Sequence, residues 1–303
     1  MESQIYFKRE FRPEREATIS VRSRALNYGL GCFGGIRGYR SDDGTQVHVF
    51  RLDRHVRRLE QSARILRLRL PGSVPDVMEI IIELLRRNGI REDVYVRPIV
   101  FANSNELSPL LDPDTSETAI FCMPLGRYLS AAPIDVCVSS WRRVRETAVP
   151  ARAKATAAYL NSALARREAL DDGYTEAILL TEDGDVSEGS AEHVFIVCDG
   201  QLISPPSTAD NLDGITRRSL IALAQEDLGM SFVERPIGRT ELYVADEVFL
   251  CGTGAEVTPV RSVDRRPVGD GGIGPMTSRL AERFEAVVRG RVPERADWLT
   301  PVW

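Results

Sequence analysis

Residues 51–68 constrain the fold most strongly, because their apolar side chains recur at the spacing of one helical face. That stripe consists of Leu52, Val56, Leu59, Ala63 and Leu66. Spacings of three and four residues place side chains on the same side of an α-helix. We therefore expect an amphipathic helix here. A second helix is predicted at residues 74–88, where Asn88-Gly89 provides a stop signal.

Shorter segments have the composition of β-strands. The clearest is DVYVRPIVF, residues 93–101, in which Tyr95 and Arg97 share one face at the two-residue period. An arginine inside an apolar strand needs an anionic partner, either a protein carboxylate or a substrate. Further strands are predicted at residues 5–11, 17–22, 46–50, 118–124, 134–141, 176–181, 193–198, 244–251 and 257–263. Further helices are predicted at residues 158–172 and 275–289. Another is predicted to begin within residues 211–219 and to end at about residue 228.

Length and composition exclude several classes of protein. The 303 residues suffice for two ordinary domains, and the net charge of −5 argues against a general nucleic-acid binder. No apolar run approaches the ~20 residues that span a bilayer, so no membrane association is expected. The five cysteines form no CxxC pair, and only three histidines are present. We expect a cytoplasmic enzyme without a metal site.

Lys154 is unusual in this chain. The 39 basic residues include only two lysines, Lys8 and Lys154, and arginine fills the other basic positions. Arginine stays charged, whereas a lysine amine can lose its proton, attack a carbonyl and form a Schiff base. Within ARAKATAAYLNS, Lys154 is therefore either a catalytic amine or a leftover surface lysine.

Three features could bind a phosphate. Arg58 borders the apolar stripe of the first helix, Gly214 precedes a helix start with Thr216 as a capping residue type, and Thr253 lies in the turn GTGAE. Arginine, helix N-termini and turns rich in N–H groups all suit anions. Each feature also has an ordinary structural explanation as a solvated charge, a capped helix or a simple turn.

Eight motifs follow one another along the chain. They are NYGLGCFGGIR, RLDRHVRRLEQSA, YVRP, AKATAAYLNS, GDVSEGSAEHVF, LDGITRRS, ADEVFLCGTGAEVTPV and the pair Gly274-Pro275. In this order they resemble the class IV, fold-type IV aminotransferases that use pyridoxal 5′-phosphate, and most of all the branched-chain amino acid aminotransferases. The resemblance implies an α/β fold, with an α+β small domain and a larger α/β domain, like that of the D-amino acid and branched-chain aminotransferases.

The resemblance assigns cofactor-binding roles by position. Lys154 matches the lysine that holds pyridoxal phosphate as a Schiff base, and Glu188 matches the carboxylate that pairs with the pyridine nitrogen. Arg58, with Gly214, Ile215, Thr216 and Thr253, matches the phosphate-binding residues. Two further residues match ring contacts, the hydrogen-bonding Tyr159 and the packing Leu212.

Substrate contacts follow from the same resemblance. Arg97, beside Tyr95, matches the arginine that accepts the side-chain carboxylate of glutamate, and Gly254 with Ala255 matches the turn that holds the α-carboxylate. The remaining predicted substrate-binding residues are Tyr28, Phe33, Gly35 and Tyr128. The implied reaction is a ping-pong transfer of an amino group between a branched-chain or other apolar L-amino acid and 2-oxoglutarate.

The family further implies a small N-terminal α/β domain at residues 1–126, a linker at 127–133, and a large cofactor-binding domain at 134–303. It also implies a homodimer or a higher homo-oligomer whose partners are small amino acids and 2-oxo acids.

The chain departs from the family pattern at several positions. Gly34 stands where close relatives usually have glutamate, Ala158 replaces an asparagine, and Ala191 and His193 replace the glycine and asparagine of GEN. The loop at residues 103–111, a pocket lid from the partner subunit in this family, has little family signature. Three alternatives therefore stay open: a transaminase for an amine or a specialised amino acid, a pyridoxal-phosphate lyase of the aminodeoxychorismate type, and a non-catalytic binding protein.

Overall fold

The computed structural model describes residues 2–126 and 132–303. Two compact units make up the chain. The first comprises Met1–Gly126, Ala153–Ala157 and Ala286–Trp303, and the second comprises Arg127–Arg152 and Ala158–Glu285. The predicted domain limits stay a prediction, and residues 127–131 of the predicted linker lie outside the described residues. Two short segments that the prediction gave to the second domain pack in the first unit instead.

Runs of strands are separated by single helices or by a pair of helices. The strands are β1 Gln4–Phe7, β2 Glu10–Pro13, β3 Gly31–Phe33, β4 Ile36–Arg40, β5 Val47–Phe50, β6 Val94–Ala102, β7 Ser116–Pro124, β8 Ile134–Arg142, β9 Glu176–Leu180, β10 Val186–Gly189, β11 His193–Cys198, β12 Gln201–Ser204, β13 Phe232–Glu234, β14 Glu247–Gly252, β15 Glu256–Val263, β16 Arg266–Pro267 and β17 Leu299–Pro301. The α-helices are α1 Arg24–Tyr28, α2 Leu52–Ile65, α3 Val74–Arg87, α4 Tyr159–Asp171, α5 Ile215–Ala222 and α6 Pro275–Val288.

The first unit is built on one sheet, whose strand order is β17-β5-β4-β6-β7-β1-β2, with β3 also paired to β6. All of its pairings are antiparallel. β6 alternates as predicted, because Val94, Val96 and Val100 are fully buried while Tyr95 and Arg97 share the other face. The face that carries these two polar side chains is therefore available to the candidate site.

Helices α2 and α3 supply the apolar core of the first unit. In α2 four of the five predicted stripe residues are confirmed, since Leu52, Val56, Leu59 and Ala63 are at most 1% exposed. The helix ends at Ile65, before the predicted limit, and Leu66 after it is half-buried. α3 begins with a capping box in which Ser73 and Asp76 exchange hydrogen bonds. The core joins these helices to apolar side chains of β4, β5 and β6.

The second unit is built on a mixed sheet with strand order β10-β9-β8-β15-β14-β11-β12-β13, to which β16 adds beside β15. β8 runs parallel to both β9 and β15, and β12 runs parallel to β13, whereas the other pairs are antiparallel. A fully apolar core lies around Val136, Ile178, Val194 and Leu250. With helices and a mixed sheet present, the predicted α/β class is confirmed.

Three expectations about elements are wrong. The single strand predicted at residues 5–11 is two strands, β1 and β2, because Lys8 and Arg9 form a turn with positive φ between them. Residues 17–22 do not form a strand, because Ile19 and Val21 are 45% and 79% exposed and no described strand pairs with them. The strand predicted from residue 244 begins only at Glu247. The sequence did not predict the terminal strand β17. Its three residues form a strand because they pair with β5, which lies far away in the sequence.

In the described part of the chain, every helix is too short or too polar to cross a bilayer.

Candidate active site

Lys154 lies in the segment Ala153–Ala157 of the first unit. Its carbonyl accepts a hydrogen bond from the Phe33 N–H at 3.0 Å, and its own N–H donates to the Ser62 hydroxyl at 3.2 Å. The next residue, Ala155, forms an isolated β-bridge with Cys32. Because β3 and α2 both bind its main chain, the start of the Lys154 side chain has a fixed position.

Helix α2 places three polar side chains towards this region of the first unit. His55, Arg58 and Ser62 are buried at a spacing of three and four residues, beside the apolar stripe. Ser62 also donates a hydrogen bond to the Arg58 carbonyl at 2.9 Å, which orders its hydroxyl for the Lys154 N–H. Arg58 is 8% exposed, so the prediction that it borders the buried face is confirmed.

The pKa of His55 reflects the burial and the positive charge of this region. Burial lowers the pKa of His55 well below its usual range, and the positive charges of Arg58 and Lys154 add to the effect. His55 is 2% exposed, and its Nδ1 atom has no hydrogen-bond partner among the described residues. A buried region with several positive charges and an unpartnered imidazole nitrogen has the donor chemistry for an anionic group.

Phe33 connects Lys154 to the polar face of β6. The Lys154 Nζ atom lies 5.3 Å from the centroid of the Phe33 ring, and the Arg97 guanidinium carbon lies 4.4 Å from the same centroid. Arg97 also donates hydrogen bonds to the Tyr95 hydroxyl at 2.7 and 3.1 Å. The structure thus brings Lys154, Phe33, Tyr95 and Arg97 together within the first unit.

Gly35 stands directly against this cluster. A Cβ atom at Gly35 would lie 2.4 Å from the Tyr95 hydroxyl, so only glycine permits the close approach. Tyr28, at the end of α1, is 38% exposed. Tyr128 lies outside the described residues.

In the second unit, Glu188 of β10 is held by a charged partner and a main-chain donor. The Arg143 Nε atom is 2.8 Å from one carboxylate oxygen, and the Leu212 N–H donates to the other at 3.2 Å. Arg143 and Glu188 are both buried. Such a charge-assisted contact fixes the position of the carboxylate strongly.

Arg143 is the residue that sequence reasoning missed. It follows the end of β8, and its only sequence signal is the pair Arg142-Arg143 after an apolar strand. Asn161 of α4 holds this segment in place, because its amide accepts from the Val144 N–H and donates to the Arg142 carbonyl. The predicted ring contact Tyr159 is the first residue of α4.

Two groups of N–H donors lie in the second unit. α5 begins after Gly214, which has no side chain to cap the first N–H groups, and both Ile215 and Thr216 are buried. Thr253, Gly254 and Ala255 form the turn between β14 and β15. A helix N-terminus and a tight turn are both suited to anionic groups.

Comparison with known proteins assigns the family. The model of the family "Amino-transferase class IV" matches residues 31–263 of this chain. The chain belongs to the class IV aminotransferases. The predicted family membership is therefore confirmed.

The relatives of this class IV aminotransferase are similar over almost their entire length. A probable branched-chain-amino-acid aminotransferase of Aquifex aeolicus (strain VF5) is 44% identical over 299 residues, which cover 98% of this chain and 96% of that protein. The crystal structure of the branched-chain aminotransferase from the thermophilic archaeon Thermoproteus uzoniensis with norvaline has a TM-score of 0.95 at 40% identity and full coverage of both chains.

A third similar protein is the branched-chain amino acid aminotransferase from Thermobaculum terrenum, whose crystal structure is that of the PLP-form, or holo-form. Its TM-score is 0.95 at 39% identity, with 100% of this chain and 99% of that chain covered. These similarities confirm the predicted fold type of this class IV aminotransferase.

A pair of buried acids lies next to Glu188 in this aminotransferase. Burial raises the pKa of Glu192 to about 8, and the neighbouring Glu176 acts in the same direction. Glu176 is fully buried, and its Oε2 atom lies 3.6 Å from the Arg166 guanidinium. At neutral pH, Glu192 therefore keeps a proton in the turn between β10 and β11.

This proton makes stability depend on pH. Between the ordinary glutamate pKa and a pH of about 8, the folded chain binds the Glu192 proton and the unfolded chain does not, so the free energy of unfolding falls as pH rises. We expect Glu192→Gln to flatten this dependence in urea denaturation curves recorded across that range. The exposed Glu182→Gln is the control. An equal slope for wild type and Glu192→Gln would contradict the assignment.

Proposed function

We propose that this chain is a pyridoxal-phosphate-dependent transaminase. It moves an amino group between a branched-chain or other apolar L-amino acid and 2-oxoglutarate in a ping-pong reaction. The observation that carries the proposal is the cluster in which Lys154 and Arg97 both contact the Phe33 ring. An amine able to form a Schiff base and a cation able to bind a carboxylate thus both lie close to one apolar ring. The branched-chain relatives support the same substrate class.

The first unit has the chemistry for the cofactor's aldehyde and phosphate. Lys154 would hold the aldehyde carbon through its Nζ atom, and Arg58 would bind the phosphate. Buried positive charge and the unpartnered Nδ1 atom of His55 fit a phosphate in this region. The PLP-form of the Thermobaculum terrenum relative supports pyridoxal phosphate as the cofactor.

The second unit has the chemistry for the cofactor's ring and for further phosphate contacts. Glu188, held by Arg143, would pair with the pyridine nitrogen. The Leu212 N–H contact places that residue beside the carboxylate, in agreement with a packing role for its side chain. The proposed phosphate contacts are Gly214, Ile215, Thr216 and Thr253, and the proposed hydrogen-bond donor to the phenolic oxygen is Tyr159.

Lys154 carries out the proton transfers in this mechanism. When bound, pyridoxal phosphate stores the amino group between the two half-reactions and its ring takes up electrons from the broken Cα–H bond. In each half-reaction the Nζ amine of Lys154, once the substrate amine has displaced it, would carry a proton between the substrate Cα atom and the C4′ atom of the cofactor, in one direction with the amino acid and in the other with the 2-oxo acid. Two hydrogen bonds hold the main chain of Lys154 in place, so the amine moves only by rotation of the side-chain bonds. Glu188, held by Arg143, would bind the ring nitrogen.

Arg97 and the Phe33 ring explain how one pocket accepts two kinds of substrate. A glutamate side-chain carboxylate pairs with Arg97, which the Tyr95 hydroxyl orients. An apolar side chain packs against Phe33 instead. Gly254 and Ala255 are proposed to bind the α-carboxylate through N–H groups of their turn. Gly35, Tyr28 and Tyr128 complete the proposed set of substrate contacts.

The donor range tests the reaction type. Purified protein with pyridoxal phosphate is mixed with single donors, and the absorbance of the bound cofactor is followed. We expect rapid change with L-leucine, L-isoleucine, L-valine and L-glutamate, and no change for Lys154→Ala, whereas Lys8→Ala behaves as wild type. Response only to D-alanine or to a chiral arylalkyl amine would contradict the branched-chain proposal and favour the amine alternative, with Gly34 as the first position to examine.

Loss of the Arg97 charge separates the two substrate classes. In Arg97→Leu we expect the KM for 2-oxoglutarate to rise about 10- to 100-fold, because a charge-assisted contact is lost, while the KM for L-leucine changes little. The exposed Arg64→Leu is the matched control. An equal rise for both substrates would show that Arg97 supports the fold rather than the carboxylate.

A homodimer is the proposed assembly, and the location is proposed to be cytoplasmic. Large apolar side chains are exposed on the first unit at Val21, Leu26, Leu107 and Leu110, at fractions from 56% to 79%. The buried Arg24 of α1 connects this helix to the loop that carries Leu107 and Leu110. It donates hydrogen bonds to the Glu106 carboxylate at 2.6 Å and to the Leu110 carbonyl at 3.3 Å. Apolar surface grouped in this way supports contact with a second copy.

Light scattering on the purified chain tests the dimer. We expect the mass of two chains for wild type and of one chain for the double variant Leu26→Glu/Leu107→Glu. Leu160→Glu, at a residue of the second unit that is 69% exposed, is the matched control and leaves the mass unchanged. A wild-type mass of one chain would overturn this part of the proposal.

A further inference from the structure

His193 contacts two parts of the second unit that the proposed function assigns to opposite ends of the cofactor. Its Nδ1 atom lies 3.8 Å from the Glu188 carboxylate, which is within the range of an electrostatic contact and longer than a direct hydrogen bond. Its Nε2 atom lies against Gly214, where an added Cβ atom would approach to 2.1 Å. One imidazole therefore fills the space between Glu188 and the start of α5.

The position of His193 is fixed by its strand. It is the first residue of β11, it pairs with Cys251 of β14, and it is 6% exposed. Glu188 has an independent anchor in Arg143, so His193 is not needed to neutralise the carboxylate. What His193 adds is a rigid contact that reaches Gly214 at the same time.

We propose that His193 is a positioning residue that sets the distance between the Glu188 carboxylate and the N-terminus of α5. This inference rests on the proposed function, in which Glu188 holds the ring nitrogen of pyridoxal phosphate and the N–H groups after Gly214 hold its phosphate. The planar imidazole reaches both groups at once, with its Nδ1 atom towards Glu188 and its Nε2 atom against Gly214. The residue also explains the glycine at position 214, because any side chain there would collide with the imidazole.

A double-mutant cycle on His193 and Gly214 tests the contact. The variants are His193→Asn, Gly214→Ala and their combination, and the readout is the dissociation constant of pyridoxal phosphate from equilibrium dialysis. We expect Gly214→Ala alone to weaken binding about 30-fold, because its methyl group displaces the imidazole and with it the α5 N-terminus. In the His193→Asn background the same methyl group has room, and we expect it to cost less than about threefold.

Spectroscopy separates positioning from general stability. We expect His193→Ala to weaken pyridoxal phosphate binding about tenfold and to shift the absorption maximum of the bound cofactor, since Glu188 loses a polar neighbour. His193→Asn, which keeps a polar group towards Glu188, should restore the wild-type maximum. The unfolding temperature of each cofactor-free variant shows whether the fold itself has changed.

Two results would overturn the inference. One is an equal cost of Gly214→Ala in both backgrounds, which would mean that His193 is not what excludes a side chain at that position. The other is a His193→Ala variant with unchanged affinity and absorption. If wild type binds pyridoxal phosphate and either result is found, only this inference fails. If wild type binds no pyridoxal phosphate, the proposed function fails together with it.

Discussion

The candidate site depends on how the main chain of Lys154 is held. Its neighbours in sequence, Arg152 and Ala158, belong to the second unit, yet the segment Ala153–Ala157 packs in the first. Two hydrogen bonds, from the Phe33 N–H and to the Ser62 hydroxyl, hold Lys154 there. The side chain that this main chain presents lies beside Phe33, and the same ring contacts Arg97. A shift of the segment would therefore separate the Lys154 amine from the side chains proposed to bind the substrate.

Charge is distributed differently in the two units. The first unit buries Arg58 and lowers the pKa of His55, so that its candidate residues have an excess of positive charge. The second unit buries Glu188 with its own arginine and keeps a proton on Glu192. Charges removed from water are costly unless they are paired or matched by a ligand. A cofactor with an anionic phosphate and a basic ring nitrogen matches both patterns, and this agreement supports the proposed function beyond the similarity of relatives.

The sequence predicted the parts of the structure that depend on local spacing. The α2 stripe and the shared face of Tyr95 and Arg97 follow from helical and strand periods, and both are confirmed. Residues 17–22 have strand composition, but none of the described strands pairs with them, and composition alone does not provide a partner. Arg143 was missed because its contact with Glu188 joins residues 45 positions apart across the sheet, a pairing that no local pattern encodes. The roles of the individual site residues stay predictions that experiments must test.

Chemical trapping tests the central claim most directly. The chain has only two lysines, so borohydride reduction of the protein with bound pyridoxal phosphate, followed by peptide mass mapping, leaves few possible attachment points. The account predicts a reduced pyridoxyl group on Lys154 and none on Lys8. Prior incubation with L-leucine should remove the label, because the amino group is then transferred. A label on Lys8, or none on Lys154 in protein that transaminates leucine, would contradict the account.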